Sequence, residues 1–91
     1  MAATIDVILL TRDDCKFCDD AKSLLERLGT EFHLQVSTVD LASPEGQKVA
    51  TDGGLLFPPG LVIQGQPFSY GRQSERRLRR EFERLSGAAT V

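Results

Sequence analysis

The period of the apolar residues changes several times along this chain, and each change marks an element. Ile5-Asp6-Val7-Ile8-Leu9-Leu10 is short, branched and almost unbroken, which predicts a buried strand over residues 4–11. Asp13-Asp14 begin a turn. From residue 15 to 28 the apolar positions Phe17, Cys18, Ala21, Leu24, Leu25 and Leu28 fall on one stripe at helical spacing, and Gly29 closes the helix. Between 31 and 41 the pattern alternates, with Phe32, Leu34 and Val36 apolar against Glu31, His33 and Gln35. That is a strand with one wetter face.

Ser43-Pro44-Glu45 starts a second helix, with serine as N-cap and proline at the first helical position. It is short and ends by Gly53-Gly54. Leu61-Val62-Ile63 and Pro67-Phe68-Ser69-Tyr70 flank Gln64-Gly65-Gln66, a hairpin signal. Ser74 caps a last helix through about Leu85, with Leu78, Phe82 and Leu85 spaced for one buried face. Residues 87–91 read as a frayed tail, which leaves one domain over 1–86. The order is β-α-β-α-β-β-α, an α/β chain. Helices between strands require parallel neighbours with right-handed crossovers, and the hairpin adds an antiparallel pair. The expectation is a four-stranded mixed sheet with three helices.

Length and charge narrow the classes. A chain of 91 residues has no room for a second core. Its net charge of −2 is too small to argue for a nucleic-acid partner. No apolar run approaches the roughly 20 residues needed to span a bilayer. The N-terminal apolar run carries Asp6 and lacks a basic leader, unlike a secretory signal, so a cytoplasmic, reducing compartment and a monomer are expected. Arg72, Arg76, Arg77, Arg79, Arg80 and Arg84 alternate with Glu75, Glu81 and Glu83, the pattern of a solvated helix face with internal ion pairs. Aromatic residues that stack on bases are missing from it, which speaks against nucleic acid. A closed zinc site needs about four ligands; two cysteines and His33 do not supply them, so no metal is assigned.

The chemistry lies in Cys15-Lys16-Phe17-Cys18, which holds both cysteines of the chain. In a reducing compartment such a pair is catalytic or metal-binding more often than a brace. The strand-to-helix handover places Cys15 at a helix N-terminus, where unpaired amides and the helix dipole favour the thiolate. The thiolate is the species that attacks disulfides. Only the first position benefits fully, so Cys15 reads as the nucleophile and Cys18, one turn deeper, as its partner. Lys16 also favours the thiolate, while Asp13, Asp14, Asp19 and Asp20 oppose it. A thiol less acidic than in strongly oxidising dithiol proteins follows, with a potential of about −200 to −270 mV. Phe17, between the cysteines, is expected to line the substrate groove.

These residues resemble the glutaredoxin family of the thioredoxin-fold superfamily. The resemblance rests on Cys15-Lys16-Phe17-Cys18 after the first strand, a proline just before the third, and Gly71 before the last helix. Pro59-Gly60-Leu61-Val62-Ile63-Gln64-Gly65 looks like the family's Pro-x-Val-Phe-Ile-x-Gly. The resemblance implies a thioredoxin fold and thiol–disulfide exchange, with Cys15 attacking and Cys18 resolving the mixed disulfide. It also implies a cis-proline facing the dithiol, which the spacing assigns to Pro59. The residue before that proline offers N–H and C=O to an extended substrate in the family, but Pro58 has no N–H. Either half of that docking pair is missing, or Pro58 is the cis residue and Phe57 supplies both groups.

Glutathione binding in the family uses a Gly-Gly-x-Asp-like segment at the last helix. Here Gly71 matches, Arg72 replaces the second glycine and Ser74 stands in place of the aspartate. A serine N-cap and Arg72 leave a carboxylate site possible but altered. No bound cofactor is expected. The substrates implied are disulfide-bearing proteins or small thiols, with glutathione, another thiol or a reductase as donor. The competing reading is non-enzymatic: an iron–sulfur cluster carrier using Cys15 with external thiols, or a redox-switched binding module.

Overall fold

The computed structural model describes residues 4–87. The elements are β1 (Ile5–Thr11), α1 (Lys16–Leu28), β2 (Leu34–Asp40), α2 (Pro44–Gly53), β3 (Gly60–Ile63), β4 (Gln66–Tyr70) and α3 (Glu75–Gly87). Their order is the expected one. The sheet runs β2-β1-β3-β4. β1 pairs in parallel with β2, from Ile5 opposite Leu34 to Thr11 opposite Asp40. β3 is antiparallel to both β1 and β4. The C-terminal ends of β1 and β4 and the start of β3 therefore meet at one end of the sheet.

Alternation along the strands decides what each face buries. Ile5, Val7 and Leu9 of β1 and Leu61 and Ile63 of β3 point to one face. There they pack against Ala21, Leu24, Leu25 and Leu28 of α1 and Leu78 and Phe82 of α3. The opposite face is thinly covered. α2 buries only Gly46 completely, and Ile8, Val49 and Val62 stay half-buried. Gly46 lets α2 approach the end of β2 closely, since a side chain there would collide with the backbone carbonyl of Asp40.

α3 is tied to α1 by charge as well as by packing. Arg27 pairs with Glu75 at 3.1 Å, and Arg79 grips both carboxylate oxygens of Glu31 at 2.7 and 2.9 Å while reaching Glu75 at 3.4 Å. The Glu31 carboxyl is accordingly held below the usual carboxylate range, chiefly by the Arg79 hydrogen bonds. Arg84 does the same to Glu81 within α3. The arginine-rich helix is thus more than a solvated face.

Several boundaries differ from expectation. β2 starts at Leu34 because backbone bonds from Thr30, Glu31 and Phe32 to Arg27 and Leu28 prolong the turn after α1. Phe32 still packs on Phe82, with ring centroids 5.7 Å apart. Val36 is exposed because β2 is an edge strand. Gly29 keeps a right-handed conformation; Gly54 after α2 is the left-handed cap, with φ 64°. The hairpin turn is Gln64-Gly65, with φ of 52° and 78°, and Gln66 already belongs to β4. Pro67 is tolerated because β4 is the other edge. α3 includes Gly87; the rest of the expected tail, 88–91, lies outside the described residues.

Candidate active site

Thr11 ends β1, Asp14 turns the chain with φ 52°, and Cys15 becomes the N-cap of α1. Its backbone is extended, with φ −121° and ψ 103°. Its Sγ accepts a hydrogen bond from the Cys18 amide at 3.1 Å, the role a serine oxygen plays in most helix caps. Helix α1 therefore begins one residue later than its spacing predicts. Cys15 and Cys18 form a disulfide, with Cα atoms 5.2 Å apart. Cys15 is half-buried and Cys18 almost wholly enclosed. The outer sulfur is the one a second molecule can reach.

Asp13, Asp14, Asp19 and Asp20 are all exposed around this helix start. Lys16 pairs with Asp20, one turn further along the helix, at 3.4 Å. That pair is well solvated and adds little stability. Once the disulfide is reduced, the Cys18 amide and the helix dipole favour negative charge on Cys15, and the neighbouring carboxylates oppose it.

The Pro58–Pro59 peptide is cis, so Pro59 is the cis residue, as the spacing indicates. Pro59 is buried, and its carbonyl accepts the Gly71 amide at 2.8 Å. Because Gly60 lies opposite Leu10 and Tyr70, Pro59 and Gly71 sit at the sheet end from which the chain runs into Cys15. Gly71 has φ 81°, and a Cβ there would come within 3.1 Å of the Phe57 ring. Phe57 in turn meets Tyr70 edge-on, with centroids 5.0 Å apart. Glycine is required at 71 for both reasons.

Phe17, Asp20, Ala21, Leu24 and Arg27 of α1 face Arg72, Gln73 and Glu75 across a groove of about 250 Å³. Phe17 and Arg72, assigned separate roles by the sequence, line it together. Pro58, Pro59 and Ser74 do not line this groove. The Ser74 hydroxyl caps α3 instead, accepting from the Arg77 amide at 3.3 Å. Arg27, Gln73 and Glu75 carry no signal in the sequence that places them in this groove. Gln73 donates to the Gly71 carbonyl at 3.0 Å and bonds Ser69, bracing the turn into α3. Among the described residues, Arg72 forms no ion pair. Nor do three His, Cys, Asp or Glu side chains converge there as metal ligands.

A four-stranded mixed sheet with three helices, and a Cys-x-x-Cys disulfide at the start of the first of them, defines a thioredoxin-fold dithiol protein. The family model of the glutaredoxin-like domain (DUF836) matches residues 6–83, and the chain belongs to that family. Among solved structures, thioredoxin 1 from Thermosipho africanus is similar with a TM-score of 0.73 at 13% identity, over 94% of this chain and 99% of that one. A thioredoxin variant from Halobacterium salinarum gives 0.70 at 23% identity, over 90% and 74%. At these identities they establish the fold. A lipoprotein-releasing system ATP-binding protein of Shewanella frigidimarina is 39% identical over 56 residues, 62% of this chain. The aligned stretch spans only 23% of that relative's length, and nothing of its activity carries over. No described helix is long and apolar enough to cross a membrane.

Proposed function

We propose that this chain is a glutaredoxin-like thiol–disulfide oxidoreductase that reduces disulfides of proteins or small thiols in a reducing, cytoplasmic compartment. The observation that carries this reading is the inequality of the two sulfurs. Cys15 is reachable and capped by an amide, while Cys18 is enclosed one turn deeper. A Cys15 thiolate attacks one sulfur of a substrate disulfide, forming a mixed disulfide and releasing the other half as a thiolate. The Cys18 thiolate then attacks Cys15 Sγ and releases the second half. Two electrons pass from the dithiol to the substrate, and the disulfide remains on the protein. A thiol such as glutathione, or a reductase, restores the dithiol by the reverse exchange.

Cys15→Ser is expected to abolish turnover of a model disulfide. Cys18→Ser is expected to accumulate a covalent adduct whose mass equals protein plus half of the substrate. Full turnover by Cys15→Ser overturns the proposal. Comparing glutathione plus glutathione reductase with thioredoxin reductase identifies the donor, and a visible absorbance band in freshly purified protein would favour the cluster carrier instead.

A further inference from the structure

Exposed large apolar side chains gather at the end of the sheet from which β1 runs into the disulfide. Among the described residues the exposed ones are Phe17, Phe57 and Tyr70, with Leu56 beside Phe57 in the chain, and, apart from these, Val36 on the β2 edge. Leu56 is the most open of them at 72%. Phe57 is held in place: its ring rests over Gly71 and meets Tyr70 edge-on, yet 55% of it faces water. Gly71 is bonded to Pro59 and is followed by Arg72, which shares a groove with Phe17. Phe57, Tyr70 and Gly71 thus form a rim that leads, through Arg72, to the groove lined by Phe17. Such clustering marks an interaction surface, whereas scattered exposed apolar residues mark nothing.

Two further features say what that surface takes. Pro58 and Pro59 carry no N–H, so the rim has no backbone donor between Phe57 and Gly60. Recognition there falls to side chains. The charge around the dithiol is also acidic: among the described residues Asp13, Asp14 and Asp19 make no ion pair, and Lys16 is engaged by Asp20. Arg12 and Arg72 offset this only in part. Glutathione brings two carboxylates and little apolar surface, and matches neither feature.

We infer that the preferred substrate is an extended protein segment with an aliphatic or aromatic side chain and basic residues beside its disulfide-bonded cysteine, docked on Leu56 and Phe57. This rests on the exchange reaction proposed above. The apolar flank is buried on the rim while the basic residues meet the carboxylates. Cys15 then attacks the substrate sulfur, and the thiol bonded to it leaves as a thiolate.

The test uses the reduced full-length protein and three probes sharing one leaving group, thionitrobenzoate, joined by a disulfide to the cysteine under test. The first probe is a peptide with leucine and lysine flanking its cysteine, the second has serine and glutamate instead, and the third is glutathione. The expected second-order rate constant is about tenfold higher for the first than for either other, the scale of partly burying one large apolar side chain. Leu56→Ser is expected to bring that ratio down several-fold and, with Phe57→Ser added, to leave only the part that the lysine and glutamate charges contribute. Leu56 is open enough for its substitution to leave the fold intact, which circular dichroism checks. Equal or faster reaction of the glutathione probe, or an equal slowing of all three by the substitutions, overturns the inference and leaves the exchange reaction standing. Failure of every probe to react overturns both.

Discussion

Gly71 shows how one position serves the site twice. Its φ of 81° is open to glycine, and its missing side chain makes room for the Phe57 ring. In Gly71→Ala the backbone strain alone is worth about 1–2 kcal/mol, and Phe57 must also move by a few tenths of an ångström. Urea denaturation is expected to show a loss of that size, with a change in the environment of Tyr70. At this scale the sequence is informative wherever a residue's chemistry is local. Cys15 at a helix start is readable for that reason; Pro59 and Gly71 are placed by the family resemblance, and the left-handed backbone of Gly71 shows only in the structure. Arg27, Gln73 and Glu75 are not readable, because their place depends on which helices touch. Leu56 and Phe57 fall in the same class: nothing in their spacing distinguishes a core pair from an exposed rim.

Between elements, the tie from α3 to the turn after α1 makes a prediction about pH. Arg79 lowers the Glu31 carboxyl below its unfolded range. A carboxyl depressed on folding adds stability at pH values above its unfolded pKa, and that addition fades as pH falls through the folded value. Glu31→Gln is therefore expected to be less stable than the parent at neutral pH, with the gap closing in acid below the ordinary glutamate range. Denaturant titrations at the two pH values check the sign. Both groups are well solvated, so the effect is small and shrinks with added salt. Element types were largely legible from periodicity. The β2 boundary was not, because alternation of Glu31, Phe32 and His33 fits a strand as well as the turn that α1 imposes. Val36 faces water because β2 ends the sheet, and edge position depends on strand order, which one strand's residues do not encode.

For the molecule as a whole, the balance at the dithiol sets its electron affinity. A helix terminus favours the reduced, thiolate-bearing form, and the surrounding carboxylates disfavour it. Lys16 contributes less than its position suggests because Asp20 holds it. The potential is accordingly expected near the glutaredoxin and thioredoxin values, about −200 to −270 mV. Equilibration against glutathione or dithiothreitol buffers, read by mass after alkylation, measures it. A value near about −120 mV would mean that the thiolate is stabilised by something other than these groups.

Cys15 plugs the open end of α1 with its own sulfur. Sulfur keeps lone pairs as thiolate, as mixed disulfide and as internal disulfide. In the exchange proposed above, the first turn of the helix thus keeps an acceptor for the Cys18 amide at each stage. On that reading bond exchange proceeds on a scaffold that need not uncoil, with Cys18 one helical turn from Cys15.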